Sequence, residues 1–118
     1  MKTNHLTMGF VQIADWVCDR ILVGDFIAEG RIPSVRELAE QMEVNPNTIS
    51  RSYERLQRQE LIYTQRGMGY FVSEGAREQI LAQRRKTFFE ETIPELKTEM
   101  ERLRITPEEL FSALEHSL

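Results

Sequence analysis

The strongest constraint on this chain lies in residues 34–58, where two short helical patterns are separated by only three residues. Ser34-Val35-Arg36-Glu37 is a capping box. The Ser34 hydroxyl can accept from the Glu37 amide, and the Glu37 carboxylate can accept from the Ser34 amide. Val35, Leu38, Ala39 and Met42 then recur at three-four spacing, which is one apolar face of a helix. Glu43-Val44-Asn45 is a turn. Asn45 suits an N-cap, and Pro46 suits the first helical position, where a missing amide hydrogen costs nothing. A second helix follows with Ile49, Ser52, Tyr53 and Leu56 inward. Two helices joined by so tight a turn predict a helix-turn-helix.

The flanking segments extend this unit. Phe10, Ile13, Ala14, Val17 and Ile21 give one apolar face to a helix over residues 9–23, ended by Gly24-Asp25. Pro33 biases Arg31-Ile32 toward extended backbone. Residues 61–64 and 70–72 read as strands. Arg66-Gly67-Met68-Gly69 joins them, with glycines free to take positive φ. A hairpin directly after the second helix is a wing. The predicted fold class is mainly α with a small β-hairpin: a winged helix-turn-helix over residues 9–73, followed by a helical tail over residues 74–118.

Charge bears on the partner. The net charge of −4 argues against nucleic acid only if its distribution is ignored. Residues 1–73 carry eight Lys/Arg against nine Asp/Glu, while residues 74–118 carry seven against ten. The acid is concentrated in the tail. Residues 46–58 hold Arg51, Arg55 and Arg58 against Glu54 alone. Local basic charge decides where phosphates dock.

A helix-turn-helix presents the N-terminal part of its second helix to base edges. Those positions are Asn45, Asn47, Thr48 and Arg51, with Ser50 beside them. Asn47 can pair with adenine, and Arg51 with guanine or a phosphate. Thr48 and Ser50 suit phosphate contacts. Ser34 and Arg36 open the preceding helix near the backbone, and Arg66 at the wing tip is placed to enter the minor groove or grip a phosphate. Which of Ser50 and Arg51 faces the groove stays open at this point. Tyr63 and Tyr70 could stack on bases, but as cross-strand neighbours they are expected to pack the hairpin.

Other chemistry is not supported. His5 and His116 are isolated, so no metal site is expected, and no cofactor. Cys18 is the single cysteine, so no intrachain disulfide can form, which fits a cytoplasmic protein. It is expected to be a packed thiol, and Trp16 a packing residue. The first eight residues lack the apolar stretch of a signal peptide, and no run approaches the ~20 apolar residues that span a bilayer. No paired carboxylates, nucleophile-base set or phosphate loop points to an enzyme.

The tail has its own pattern. Phe89, Ile93, Leu96, Met100 and Leu103 form a heptad-like seam. Pro94 falls inside it and removes the hydrogen bond to the Glu90 carbonyl, so a kink or a break is expected there. Thr106-Pro107-Glu108-Glu109 opens a last helix with Leu110, Phe111 and Leu114 on its apolar face. These eight apolar residues are the expected dimer interface. The alternative is a tail folded back on its own winged domain.

Four segments carry a resemblance. Phe10-Val11-Gln12-Ile13, then Ile32-Pro33-Ser34-Val35-Arg36-Glu37-Leu38-Ala39, then Val44-Asn45-Pro46-Asn47-Thr48-Ile49-Ser50-Arg51-Ser52-Tyr53, and finally Arg66-Gly67-Met68-Gly69-Tyr70-Phe71-Val72 are similar to the GntR family of bacterial transcription regulators. The Val-Asn-Pro-Asn-Thr form and the short tail resemble its YtrA subgroup. The resemblance implies a homodimeric regulator, expected to be a repressor, held together by a two-helix tail on a palindromic operator in double-stranded DNA. It implies that Arg36 grips the DNA backbone, that Asn45, Asn47 and Thr48 are contact positions, and that Gly67 lies at the wing tip. Many relatives have Arg at the place of Ser50, and here the basic residue is Arg51. Many have Pro-Gly where this chain has Ala28-Glu29-Gly30, so that loop is expected to differ. Whether a small-molecule effector exists stays open. The rival from another class is a winged helix that docks a protein.

Overall fold

The computed structural model describes residues 8–117. His5 and the rest of the first seven residues, along with Leu118, lie outside the described residues. Two compact units divide the chain, one reaching Leu81 and the other beginning at Ala82.

The first unit opens with α1 (Phe10–Leu22), α2 (Val35–Met42) and α3 (Pro46–Arg58). Each begins and ends where local chemistry requires. The Ser34 hydroxyl accepts from the Glu37 amide at 3.0 Å, and the Glu37 carboxylate accepts from the Ser34 amide at 2.8 Å. Glu43 closes α2 in the left-handed region with φ 55°. The Val44 amide then donates back to the Ala39 carbonyl at 3.1 Å, which satisfies a carbonyl at the helix end. Asn45 caps α3 by accepting from the Asn47 amide at 2.8 Å, with Pro46 following.

The core forms where the three apolar faces meet. Ile13, Val17 and Ile21 of α1, Leu38 and Met42 of α2, and Ile49, Tyr53 and Leu56 of α3 are all buried. One polar side chain sits among them. The fully buried Ser52 hydroxyl lies 2.7 Å from the Phe10 carbonyl and 3.0 Å from the Thr48 carbonyl, and it donates to this pair. A small side chain here lets α1 and α3 approach closely. Trp16 meets Phe26 edge-on at 6.0 Å, as a packing residue should. Cys18 is buried in α1.

The hairpin β1 (Ile62–Gln65) and β2 (Gly69–Val72) is antiparallel, with Tyr63 opposite Phe71 and Thr64 opposite Tyr70. Tyr63 and Tyr70 are therefore not cross-strand partners. Adjacent register positions point to opposite faces. Tyr63 stacks on Phe71 at 5.7 Å, while Tyr70 turns inward to meet Tyr53 at 4.8 Å. Both serve packing, but of different faces. A third extended segment borders β2. The Ile32 amide donates to the Tyr70 carbonyl, the Val72 amide to the Gly30 carbonyl, and Arg31 bridges Phe71. The unit then continues past the hairpin into α4 (Ala76–Thr87), whose Ala76 and Ile80 are buried in the same core.

The second unit holds the end of α4, a π-helical turn over Phe88–Thr92, α5 (Ile93–Leu103) and α6 (Pro107–His116). The interruption expected around Pro94 takes the form of that π turn. Pro94 has no amide hydrogen for the Glu90 carbonyl, and its ring crowds that carbonyl. Widening the turn relieves both, and the Ile93 amide donates five residues back to Phe88. Arg104 ends α5 with φ 57°, and the Ile105 amide returns to the Met100 carbonyl at 2.9 Å. Thr106 and Glu109 form the expected capping box of α6. None of the described residues of this unit is buried. No helix among the described residues is long and apolar enough to cross a membrane.

Candidate nucleic-acid interface

The inward side of α3 fixes what its outward side offers. With Ile49, Ser52, Tyr53 and Leu56 buried, Asn47, Arg51, Glu54 and Arg58 fall on the opposite face, and all four are exposed. They are spaced four, three and four apart, so they form one stripe along the helix. Thr48 and Ser50 flank it, half-buried. Arg51 is thus central on the outward face and Ser50 marginal. The Arg51 guanidinium rests over the Phe10 ring, 4.1 Å from its centroid. This cation–π contact holds a flexible side chain near the start of α1. Sequence reasoning placed Phe10 only on the face of α1; its polarised partner lies 41 positions away and left no local signal.

Asn45 is exposed, but its side-chain oxygen is occupied by the cap on α3. Only its amide NH2 group remains to donate to a ligand. Ser34 is half-buried and occupied in the same way as a cap, while Arg36 is exposed in the first turn of α2.

The wing tip is built by glycine. The Met68 amide closes a turn onto the Gln65 carbonyl at 2.9 Å, with Gly67 at φ 75°. Positive φ at this third turn position is what a type II turn demands. Arg66, Gly67 and Met68 are exposed at the tip.

One residue that the sequence reading treated only as extended backbone joins these parts. Arg31 lies between α2 and the wing. Its Nη2 is 3.9 Å from Glu37 Oε1. A Cβ on Gly69 would stand 3.2 Å from its Nε, so the glycine leaves room for the guanidinium. Glu37 feels this neighbour. The Ser34 amide, then the Ser34 side chain, hold the Glu37 carboxyl below its ordinary value of 4.5, with the Arg31 charge acting in the same direction. A carboxylate whose folded value is depressed stabilises above the unfolded value and loses that contribution as pH falls through the folded one. Wild-type chain is therefore expected to lose stability relative to Glu37→Gln as pH drops through and below 4.5, which thermal unfolding against pH would measure. A parallel pH dependence of the two proteins would show that the cap does not titrate.

A tightly turned helix pair with an outward second helix and a glycine-tipped hairpin defines a winged helix-turn-helix, the architecture of a DNA-binding transcription regulator. The chain belongs to the GntR family: the model described as bacterial regulatory proteins, gntR family, matches residues 11–72. It is 36% identical over 87 residues to the HTH-type transcriptional repressor YtrA of Bacillus subtilis (strain 168), covering 74% of this chain and 66% of that one. A crystal structure of a GntR-family transcriptional regulator from Bacteroides thetaiotaomicron shares 44% identity with a TM-score of 0.69, over 89% of this chain and 91% of that one. The DNA-binding domain of AraR, solved in complex with operator ORR3, shares 30% identity with a TM-score of 0.52, over 54% of this chain and 77% of that one.

Proposed function

We propose that this chain is a homodimeric repressor that reads a palindromic operator, with α3 in the major groove and the wing tip in the adjoining minor groove. The observation that carries the DNA reading is the outward stripe of α3, where polar and basic side chains stand clear of the core beside a glycine-built tip. Asn47 and Arg51 are assigned to base edges. Arg36, Thr48, Ser50 and Arg66 are assigned to phosphates, with Ser34, Asn45 and Gly67 shaping the approach. The repressor assignment follows the likeness to YtrA, and the operator assignment follows the likeness to the AraR DNA-binding domain, solved in complex with operator ORR3.

The dimer rests on the second unit. Phe89, Leu103, Phe111 and Leu114 are each about 60% exposed, at 60, 59, 60 and 64%. Ile93 is exposed, and Leu96, Met100 and Leu110 are half-buried. A helical segment this apolar with none of its described residues buried is half of an interface. The small positive excess on α3 also calls for two copies, because one such module binds weakly.

Selection of bound duplexes from a random pool tests the whole reading. The expected product is a palindrome with half-sites about one helical turn, ~34–36 Å, apart. Unpaired half-sites would overturn the dimer geometry. On the selected duplex, Asn47→Ala and Arg51→Ala are each expected to weaken binding by about 1–3 kcal/mol per protomer and to relax base preference at one position. Retention of full affinity by both variants would remove α3 from the reader. Binding with no dependence on salt would favour a protein-docking winged helix instead.

A further inference from the structure

We propose that Arg31 is a further DNA-contacting residue, a phosphate clamp seated between the start of α2 and the tip end of the wing. This rests on the DNA-binding reading above and adds a group to it. The position follows from two neighbours. Glu37 lies in the first turn of α2, and Gly69 pairs with Gln65 at the distal end of the hairpin. The Arg31 guanidinium reaches both. A duplex that takes α3 in its major groove and the wing tip in its minor groove carries its backbone across the space between those two elements. This places Arg31 at that crossing, and two further exposed arginines belong to the elements it joins, Arg36 to the first turn of α2 and Arg66 to the wing tip.

The backbone of Arg31 is fixed and its charge is not. The bridge to Phe71 and the adjoining Ile32 amide bond anchor it to β2. Its side chain is 58% exposed, and its carboxylate partner, Glu37, is 56% exposed and 3.9 Å away. An exposed pair of that length is weak and screened by salt. Glu37 does not depend on it, because the Ser34 amide holds the same carboxylate oxygen at 2.8 Å. The guanidinium can therefore exchange Glu37 for a phosphate oxygen, which offers it a bidentate and charge-assisted bond, while Glu37 keeps its capping role. Gly69 leaves space for this arrangement, since an added Cβ would stand 3.2 Å from Nε, closer than ordinary van der Waals contact.

The test uses the full chain, a short duplex of mixed sequence, and a duplex selected from a random pool. Arg31→Gln is expected to lower the slope of log affinity against log salt by about 0.9 for each protomer bound. The loss of affinity should be the same on both duplexes, because a phosphate carries no sequence information. The deficit should shrink about threefold between 50 and 200 mM salt for each contact. Arg31→Lys should restore the slope, and Arg36→Gln provides a comparison at an independently assigned phosphate site. Thermal midpoints of the variants report whether the fold is intact. An unchanged salt slope in Arg31→Gln, with wild-type chain showing a steep one, overturns the clamp and leaves the DNA reading standing. A loss confined to the selected duplex also overturns it, by making Arg31 a base reader. A wild-type chain with no salt-dependent binding to either duplex overturns both readings.

Discussion

Phe111→Asp is expected to convert the full chain from dimer to monomer and to weaken operator binding by ~10²–10⁴-fold, the range that linking two modules provides. Phe111 is 60% exposed on α6, next to Leu114 at 64%. Covering one Phe side chain contributes about 1.5–3 kcal/mol. The substitution removes that contribution from both copies and places two carboxylates in an apolar seam. Phe111 lies in the second unit and outside the buried core set of the winged one, so far-ultraviolet circular dichroism and the melting of the winged unit should change little. Sedimentation at micromolar concentration would give the mass. The salt slope of binding should fall to about half, since half the phosphate contacts are lost. A dimeric mass with undiminished affinity would place the interface elsewhere, and a monomeric mass for wild-type chain would favour a tail packed on its own winged domain.

The largest stability effect is expected at Tyr53. Its ring is fully buried and meets Tyr70 edge-on at 4.8 Å. Its hydroxyl donates to the Pro33 carbonyl at 2.6 Å. One side chain thus ties α3 to the entry of α2 and to the wing. Tyr53→Ala is expected to cost about 3–5 kcal/mol, as aromatic deletions in closed cores do. That is a large share of the ~5–15 kcal/mol that holds a domain together. The melting midpoint should fall by about 12 °C or more. Tyr53→Phe keeps the ring and orphans the Pro33 carbonyl, at about 1–3 kcal/mol. Burial first, and then the nearness of Tyr70 and Glu37, push the phenol well above its ordinary value, so it stays a donor through neutral pH. The phenol's contribution is present below its ordinary value and would be lost only as pH rises above it. A Tyr53→Ala midpoint within a few degrees of wild type would show that the ring is not what couples the three elements.

Much of this was legible in the sequence because it is local. Ser34 and Glu37, Thr106 and Glu109, and the Asn45-Pro46 pair mark helix starts within four residues, and each stands where expected. The inward sets of α1, α2 and α3 follow from a period that any helix imposes. The failures are non-local or depend on register. Tyr63 and Tyr70 were read as neighbours because both lie in strands; the three residues of the loop, Arg66 to Met68, set the register that separates them. Arg31 gained its place only when the segment before α2 came to lie along β2. The contact of Arg51 with Phe10 needs α1 and α3 to meet, which a hydrophobic period does not specify in detail. Pro94 announced an interruption, but a kink, a break and a π turn all relieve the same clash, and nothing nearby in the sequence selects among them.

The two sides of α3 also answer to different pressures over time. Ile49, Ser52, Tyr53 and Leu56 are held by the core, where a change of one methylene is felt. Asn47, Glu54 and Arg58 face outward, and Arg51 is tied only by its ring contact, so exchanges there cost the fold little. When such a gene is duplicated, its copies can drift apart in the DNA they recognise while their architecture stays the same. With Asn47 and Arg51 as the proposed base readers, a lineage can then multiply its regulatory circuits from one scaffold by rewriting two side chains.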